Sequence, residues 1–228
     1  MMIISNQKLR NVLRVCIPFL LIPLVVIVGA LVFDEKKHLF VSLAVAVLSV
    51  VLFIAGFEKK ITGSRRMVII AVMIALSIVG RFIPFFKPIT AVTVITAVYL
   101  GGESGFMVGA FSALLSNFYF GQGPWTAFQM LAWGLIGLFA GFLAKRLQKS
   151  RVLLCGYGVL SGIVYSLVMD LWTMLSYGEG VSLGVYLGLV VTAIPHTVMY
   201  AVANLVFLWF MAKPFGEKLS RIKIKYGV

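Results

Sequence analysis

Phe118-Tyr-Phe-Gly-Gln-Gly-Pro-Trp-Thr-Ala-Phe-Gln-Met130 joins two apolar segments of the chain without a single charge. A connector that only reverses the chain in water needs turn-forming residues and little else. This one adds flat aromatic faces and hydrogen-bonding amides, the mixture that lines small-molecule pockets. The sequence on either side decides the setting in which it works.

Of the 228 residues, 61% are hydrophobic and 12% charged, whereas soluble domains carry about 25% charged residues. Most stretches between charge clusters are apolar over much of the ~20 residues that a helix needs to cross a bilayer. None shows the polar face of a helix in a soluble bundle, and no polar stretch is long enough for a second, aqueous domain. The expectation is an all-α integral membrane protein. The formal charge of +13, from 20 Lys+Arg against 7 Asp+Glu, sits in short tracts beside the apolar segments. That is the positive-inside pattern and not a nucleic-acid surface; such tracts also meet anionic membrane lipid. Cys16 and Cys155 lie in apolar runs without metal-ligand or disulfide spacing, as buried small hydrophobes do. The first apolar segment exceeds a signal-peptide core, so it is expected to be retained.

Eight crossings fit: Val12–Phe33, Leu39–Phe57, Met67–Phe85, Ile89–Leu100, Ser104–Phe118, Ala127–Ala144, Val152–Met174 and Val185–Ala212. The fourth and fifth are short and broken by Gly101-Gly102. Four basic clusters fall on one side of this arrangement. They are Lys8/Arg10/Arg14, Lys59/Lys60/Arg65/Arg66, Lys145/Arg146/Lys149/Arg151 and Lys213/Lys218/Arg221/Lys223/Lys225. An even number of spans then puts both termini in the cytoplasm. The opposite connectors carry little: Lys36/Lys37 offset by Asp34/Glu35, then Lys87, then only Glu179. The Phe118–Met130 stretch is therefore expected on the outer face. Gly105-x-x-x-Gly109, Gly137-x-x-x-Gly141 and Gly158-x-x-x-Gly162 permit close helix approach. Pro195 is expected to kink the last span.

No catalytic constellation is legible: there is no metal-spaced cluster, nucleophile elbow or phosphate-cradling lysine motif. The chain is not read as an enzyme, and no ion-selectivity pattern appears. Polar residues inside apolar segments face protein or a cavity, so Asn117, Gln129, Asp170 and His196, with Gln122 and Arg81, are candidate pocket residues. Each also has a structural role open to it. Asn117 can cap the fifth span, Gln129 can satisfy a helix terminus, and Asp170 can pair with Arg81. Tyr119 and Trp125 fit ligand stacking or an interfacial aromatic belt. Trp172 and Tyr177 extend that layer, and Tyr165 lies further in. Asn204 is expected to make a helix–helix hydrogen bond.

From Arg66 onward the chain resembles the substrate-binding S-component of energy-coupling factor (ECF) vitamin transporters. The residues that carry this are Ala71-Val-Met-Ile-Ala75, Asn117–Met130 with its Gly-Pro-Trp-x-x-Phe-Gln-Met run, and Ala132-Trp-Gly-Leu-Ile-Gly-Leu-Phe-Ala-Gly141. The resemblance implies a six-helix S-component core over 65–228; the two extra transmembrane helices in 1–64 depart from it. It implies a vitamin-binding subunit in the bacterial cytoplasmic membrane, partnered by a transmembrane T-subunit and two ATPase subunits that consume the ATP. Substrate would be captured from outside and delivered by toppling on the T-subunit, with Ala71 and Ala75 facing that partner. The Gly-Pro-Trp loop looks closest to the cobalamin branch, which makes cobalamin the expected cargo. Asn117, Gln122 and Gln129 would then meet the amide side chains of a corrin. Riboflavin or another small vitamin is the alternative, and a membrane scaffold without a polar-lined cavity is a second.

Overall fold

The computed structural model describes residues 4, 6–32, 38–56, 60–84, 87–176 and 181–227, with the side chains of 60–64 excepted. Asp34, Glu35, Lys36, Lys37, Lys59, Tyr177, Glu179 and the expected span ends Phe33, Phe57 and Phe85 lie outside the described residues, as does the side chain of Lys60.

The described chain is helical from end to end. Helix α1 (Gln7–Cys16) passes through a π-helical turn (Ile17–Leu21) into α2 (Ile22–Val32). Pro18 opens that turn, and Pro23 cannot donate the hydrogen bond an α-helix would need there. The wider register, with the Ile22 amide bonded to the Ile17 carbonyl, absorbs both. Then follow α3 (His38–Ala55), α4 (Lys60–Gly80), α5 (Ile89–Leu100), α6 (Gly102–Phe120) and α7 (Trp125–Phe142). The short α8 (Ala144–Lys149), α9 (Arg151–Ser176) and α10 (Leu183–Tyr226) complete the chain. Five stretches are long and apolar enough to cross a membrane: Gln7–Val32, α3, α7, α9 and α10. This is an all-α, multi-pass membrane fold.

Helix α5 is central. Apart from Tyr99 every one of its residues is buried, as expected of a helix that is apolar all round, and α4, α6, α7, α9 and α10 pack on it. Helices α6 and α7 form the tightest pair because glycines face each other. A Cβ on Gly137 would lie 2.5 Å from the Gly105 carbonyl carbon, and one on Gly109 would lie 2.5 Å from the Trp133 carbonyl oxygen. Gly162 likewise sits against the Ala201 backbone of α10. The α1–α3 hairpin packs on α6 and α7, and α2 reaches α9.

The described residues of the four basic clusters converge at one end of the molecule. Arg14 pairs with Glu103 at 2.5 Å, and the buried Arg10 donates to the Ala55 carbonyl. Arg65 donates to the Tyr226 carbonyl, Lys223 to the Tyr99 carbonyl and Gln148 to the Val98 carbonyl. Gly101, at φ 96°, allows the sharp break between α5 and α6 at that end. Several boundaries differ from expectation, two of them at prolines. The third span stops at Gly80, where Arg81 turns the chain before the Pro84 and Pro88 that a helix cannot carry onward. The last helix runs to Tyr226, well past Ala212, because Pro214 is accommodated inside it.

Candidate functional site

A line of buried polar side chains crosses four helices at the end opposite the basic clusters. Arg81, just past α4, donates through Nη1 to Ser116 Oγ and, at 2.6 Å, to Asn117 Oδ1. The Asn117 amide donates to Thr126 Oγ1 and Gln129 Oε1, both at 2.8 Å. Gln129 Nε2 donates to the Tyr165 hydroxyl at 3.1 Å. Thr126, Gln129 and Trp133 recur at helical spacing, so α7 presents them on one face. Trp133 stacks on Tyr165 with centroids 4.5 Å apart and planes 13° from parallel, and Tyr200 of α10 meets Tyr165 edge-on at 5.2 Å. The Trp133 indole donates to Thr90 of α5 at 3.1 Å. Away from water such a line is strongly specified: a made bond is worth about 1 kcal/mol net, while an orphaned buried partner costs about 1–3.

Several buried polar atoms on these helices are unmatched. Arg81 Nε and Asp170 Oδ2 are buried without a hydrogen-bond partner among the described residues. Asp170, open to a pairing with Arg81, is not joined to it: Arg81 Nη1 goes to Ser116 and Asn117, and the Phe120 ring lies 4.7 Å from its guanidinium carbon. Nor does Asn117 cap a helix; it is the hub of the line, with no exposed surface. Lys87, on the α4–α5 connector, is held below its ordinary pKa by burial and then by the like charge of Arg81.

The opening stretch is a much shorter connector than its sequence suggests. Phe118–Phe120 complete α6, Trp125–Met130 begin α7, and Gly121–Pro124 alone link them. Gly121 has φ 106°, which favours glycine. Gln122 closes the turn, donating to the Leu114 carbonyl at 2.9 Å and accepting from Thr126 Oγ1 at 3.0 Å. Trp125 lies over Gly123, where a Cβ would meet its ring at 2.2 Å. The structure thus separates the expected site residues. Arg81, Asn117 and Gln129 share the buried line, with Gln122 attached through Thr126. Trp125 and Trp172 lie on the other side of α7, lining a cavity of about 880 Å³ between α2, α3, α7 and α9. Tyr119 joins an exposed aromatic cluster with Phe82 and Phe120. His196 is exposed on α10, one turn before Tyr200. Ala71 and Ala75 are exposed on α4 in an apolar strip with Val68, Val72 and Val79. Asn204 makes the expected interhelical bond, to the Gly158 carbonyl at 3.0 Å.

Sequence reasoning missed Ser116, Thr126, Thr90 and Tyr200. Thr126 was findable as the residue one turn before Gln129, whereas serines and threonines commonly satisfy themselves on their own helix and gave no signal.

Residues 62–213, about two thirds of the chain, match the family described as the ECF-type riboflavin transporter, S component. The chain belongs to that family. No curated protein and no solved structure matches it. As an ECF S-component it is one part of a system that includes a T-subunit and ATPase subunits. The match overturns the cobalamin branch, and with it cobalamin as the cargo. The structure gives a physical reason for the misreading. The three amides expected to face a corrin are committed internally, Asn117 to Gln129 and Gln122 to the turn it closes. An uncharged aromatic loop with amides marks this S-component's turn chemistry, not a wide corrin entrance.

Proposed function

We propose that this chain is the riboflavin-binding subunit of an ATP-driven ECF importer in a bacterial cytoplasmic membrane. Besides the family match, one observation carries the reading: the Arg81–Asn117–Gln129–Tyr165 line, with Trp133 and Tyr200 around Tyr165 and the unmatched Arg81 Nε at its edge. A flavin has a flat tricycle that stacks on aromatic rings, a pyrimidine edge of alternating carbonyl and N–H groups, and a polyhydroxyl chain. Arg81 Nε offers the last a donor. Helix α10 packs on α9 and α5, and its first part, Leu183–Val198, is largely exposed. That supports access to the line from the side of Arg81 and Tyr200, with His196 near the approach.

On this reading residues 65–228 are the six-helix core, and 1–64 add two spans before it. The basic end faces the cytoplasm with both termini, and the Gly121–Pro124 turn faces outward. The exposed Ala71/Ala75 strip is the surface for the T-subunit, whose ATPase partners supply the energy for toppling. The test is flavin binding by the purified chain, read from quenching of flavin fluorescence. Gln129→Ala removes two bonds of the line and is expected to weaken binding about 10–100-fold. Unchanged affinity in that variant contradicts the assignment of the line.

A further inference from the structure

The cavity between the hairpin and the core stands apart from the Arg81–Tyr165 line, with α7 as the partition. Thr126, Gln129 and Trp133 engage the line, while Trp125 and Phe128 line the cavity. Its core wall is aromatic: the rings of Phe128 and Trp172 lie 5.4 Å apart, tilted by 46°. Its opposite wall comes from Gly29 and Ala30 of α2 and His38 of α3, all before residue 62 and so outside the family match. That wall is smooth because α2 closes directly on α3; a Cβ on Gly29 would lie 2.6 Å from a Val41 methyl. Thr173 and Ser176 at the rim donate to carbonyls of their own helix at 3.0 and 2.7 Å, which leaves their oxygens as acceptors.

A volume of about 880 Å³ is within the roughly 300–1,000 Å³ of small-molecule sites. The rings of Trp125, Phe128 and Trp172 suit the faces of a planar heteroaromatic molecule, and the polar side chains His38, Thr173 and Ser176 give it only a few points of orientation. We propose that this cavity is a second, weaker flavin site, one wall of which the N-terminal hairpin adds to the S-component core. The inference rests on the riboflavin reading above.

The test is equilibrium dialysis of riboflavin against the full chain in lipid nanodiscs, with empty nanodiscs as the blank. Two flavins per chain are expected, the second bound at least about tenfold more weakly. Ala30→Trp and Thr173→Phe fill the cavity from opposite walls. Each is expected to abolish the weaker phase and leave the tighter one within about twofold. Gln129→Ala is expected to do the reverse. A single flavin per wild-type chain, or a weaker phase that survives both filling substitutions, overturns this inference and leaves the riboflavin reading intact. Absence of any flavin binding removes both.

Discussion

Asn117 is the residue on which the buried line turns, since its two amide atoms join Arg81 on one side to Thr126 and Gln129 on the other. Asn117→Leu is close in size yet removes every one of those bonds. It is expected to lower stability by about 2–4 kcal/mol, measured by thermal melting in detergent. A melting temperature equal to wild type would mean that the line has little structural weight. Asn117 and Gln129 were legible from sequence because an amide inside an apolar segment needs a partner. Which partner was not legible. Spacing allowed Asp170 to meet Arg81, but the turn after Gly80 delivers the guanidinium to the end of α6 instead. Trp125 shows the same limit: its aromatic, interfacial character was plain, yet the face of α7 on which it falls depended on where the helix begins.

The helices themselves were read from hydropathy; eight crossings were expected, and among the described residues five stretches are long and apolar enough to span. The glycine motifs were individually weak, but α6 and α7 bring Gly105, Gly109, Gly137 and Gly141 into backbone contact. In lipid, association rests on such close packing, because water drives no helices together there. Gly137→Ala forces a methyl onto the Gly105 backbone and is expected to destabilise by about 2 kcal/mol or more. Gly156→Ala has open space and is expected to stay within about 1 kcal/mol of wild type. Similar melting temperatures for the two variants would contradict the packing argument. The hairpin is tied down more lightly. Arg14 is 42% exposed where it meets Glu103, so Arg14→Ala is expected to cost no more than about 1 kcal/mol. What sequence left dark at this scale was the π-helical turn near Pro18, and the four-residue link where a longer outer connector was expected. Both depend on hydrogen-bond register, which hydropathy does not carry.

At the scale of the whole molecule, charge placement says more than any motif. The basic tracts are far apart in sequence, and the structure gathers them at one end by contacts such as Arg65 with Tyr226 and Lys223 with Tyr99. The opposite end holds the polar line and the aromatic cavity, a division that suits a subunit taking cargo at one membrane face and passing it on at the other. Docking belongs to this scale. Ala71→Trp or Ala75→Trp, on the exposed face of α4, is expected to block copurification with the T-subunit and abolish uptake while flavin binding by the isolated chain persists. Loss of binding in those variants would place the alanines in the fold and not at an interface. Cargo identity lay beyond the sequence reading because aromatic rings and amides serve many vitamins alike. The most direct test is therefore competition at equilibrium on the purified chain, titrated with riboflavin in the presence and absence of excess cobalamin. The expected result is tight, saturable riboflavin binding, with a Kd below about 1 µM, that cobalamin leaves unchanged. No riboflavin binding, or displacement of riboflavin by cobalamin, would contradict the account.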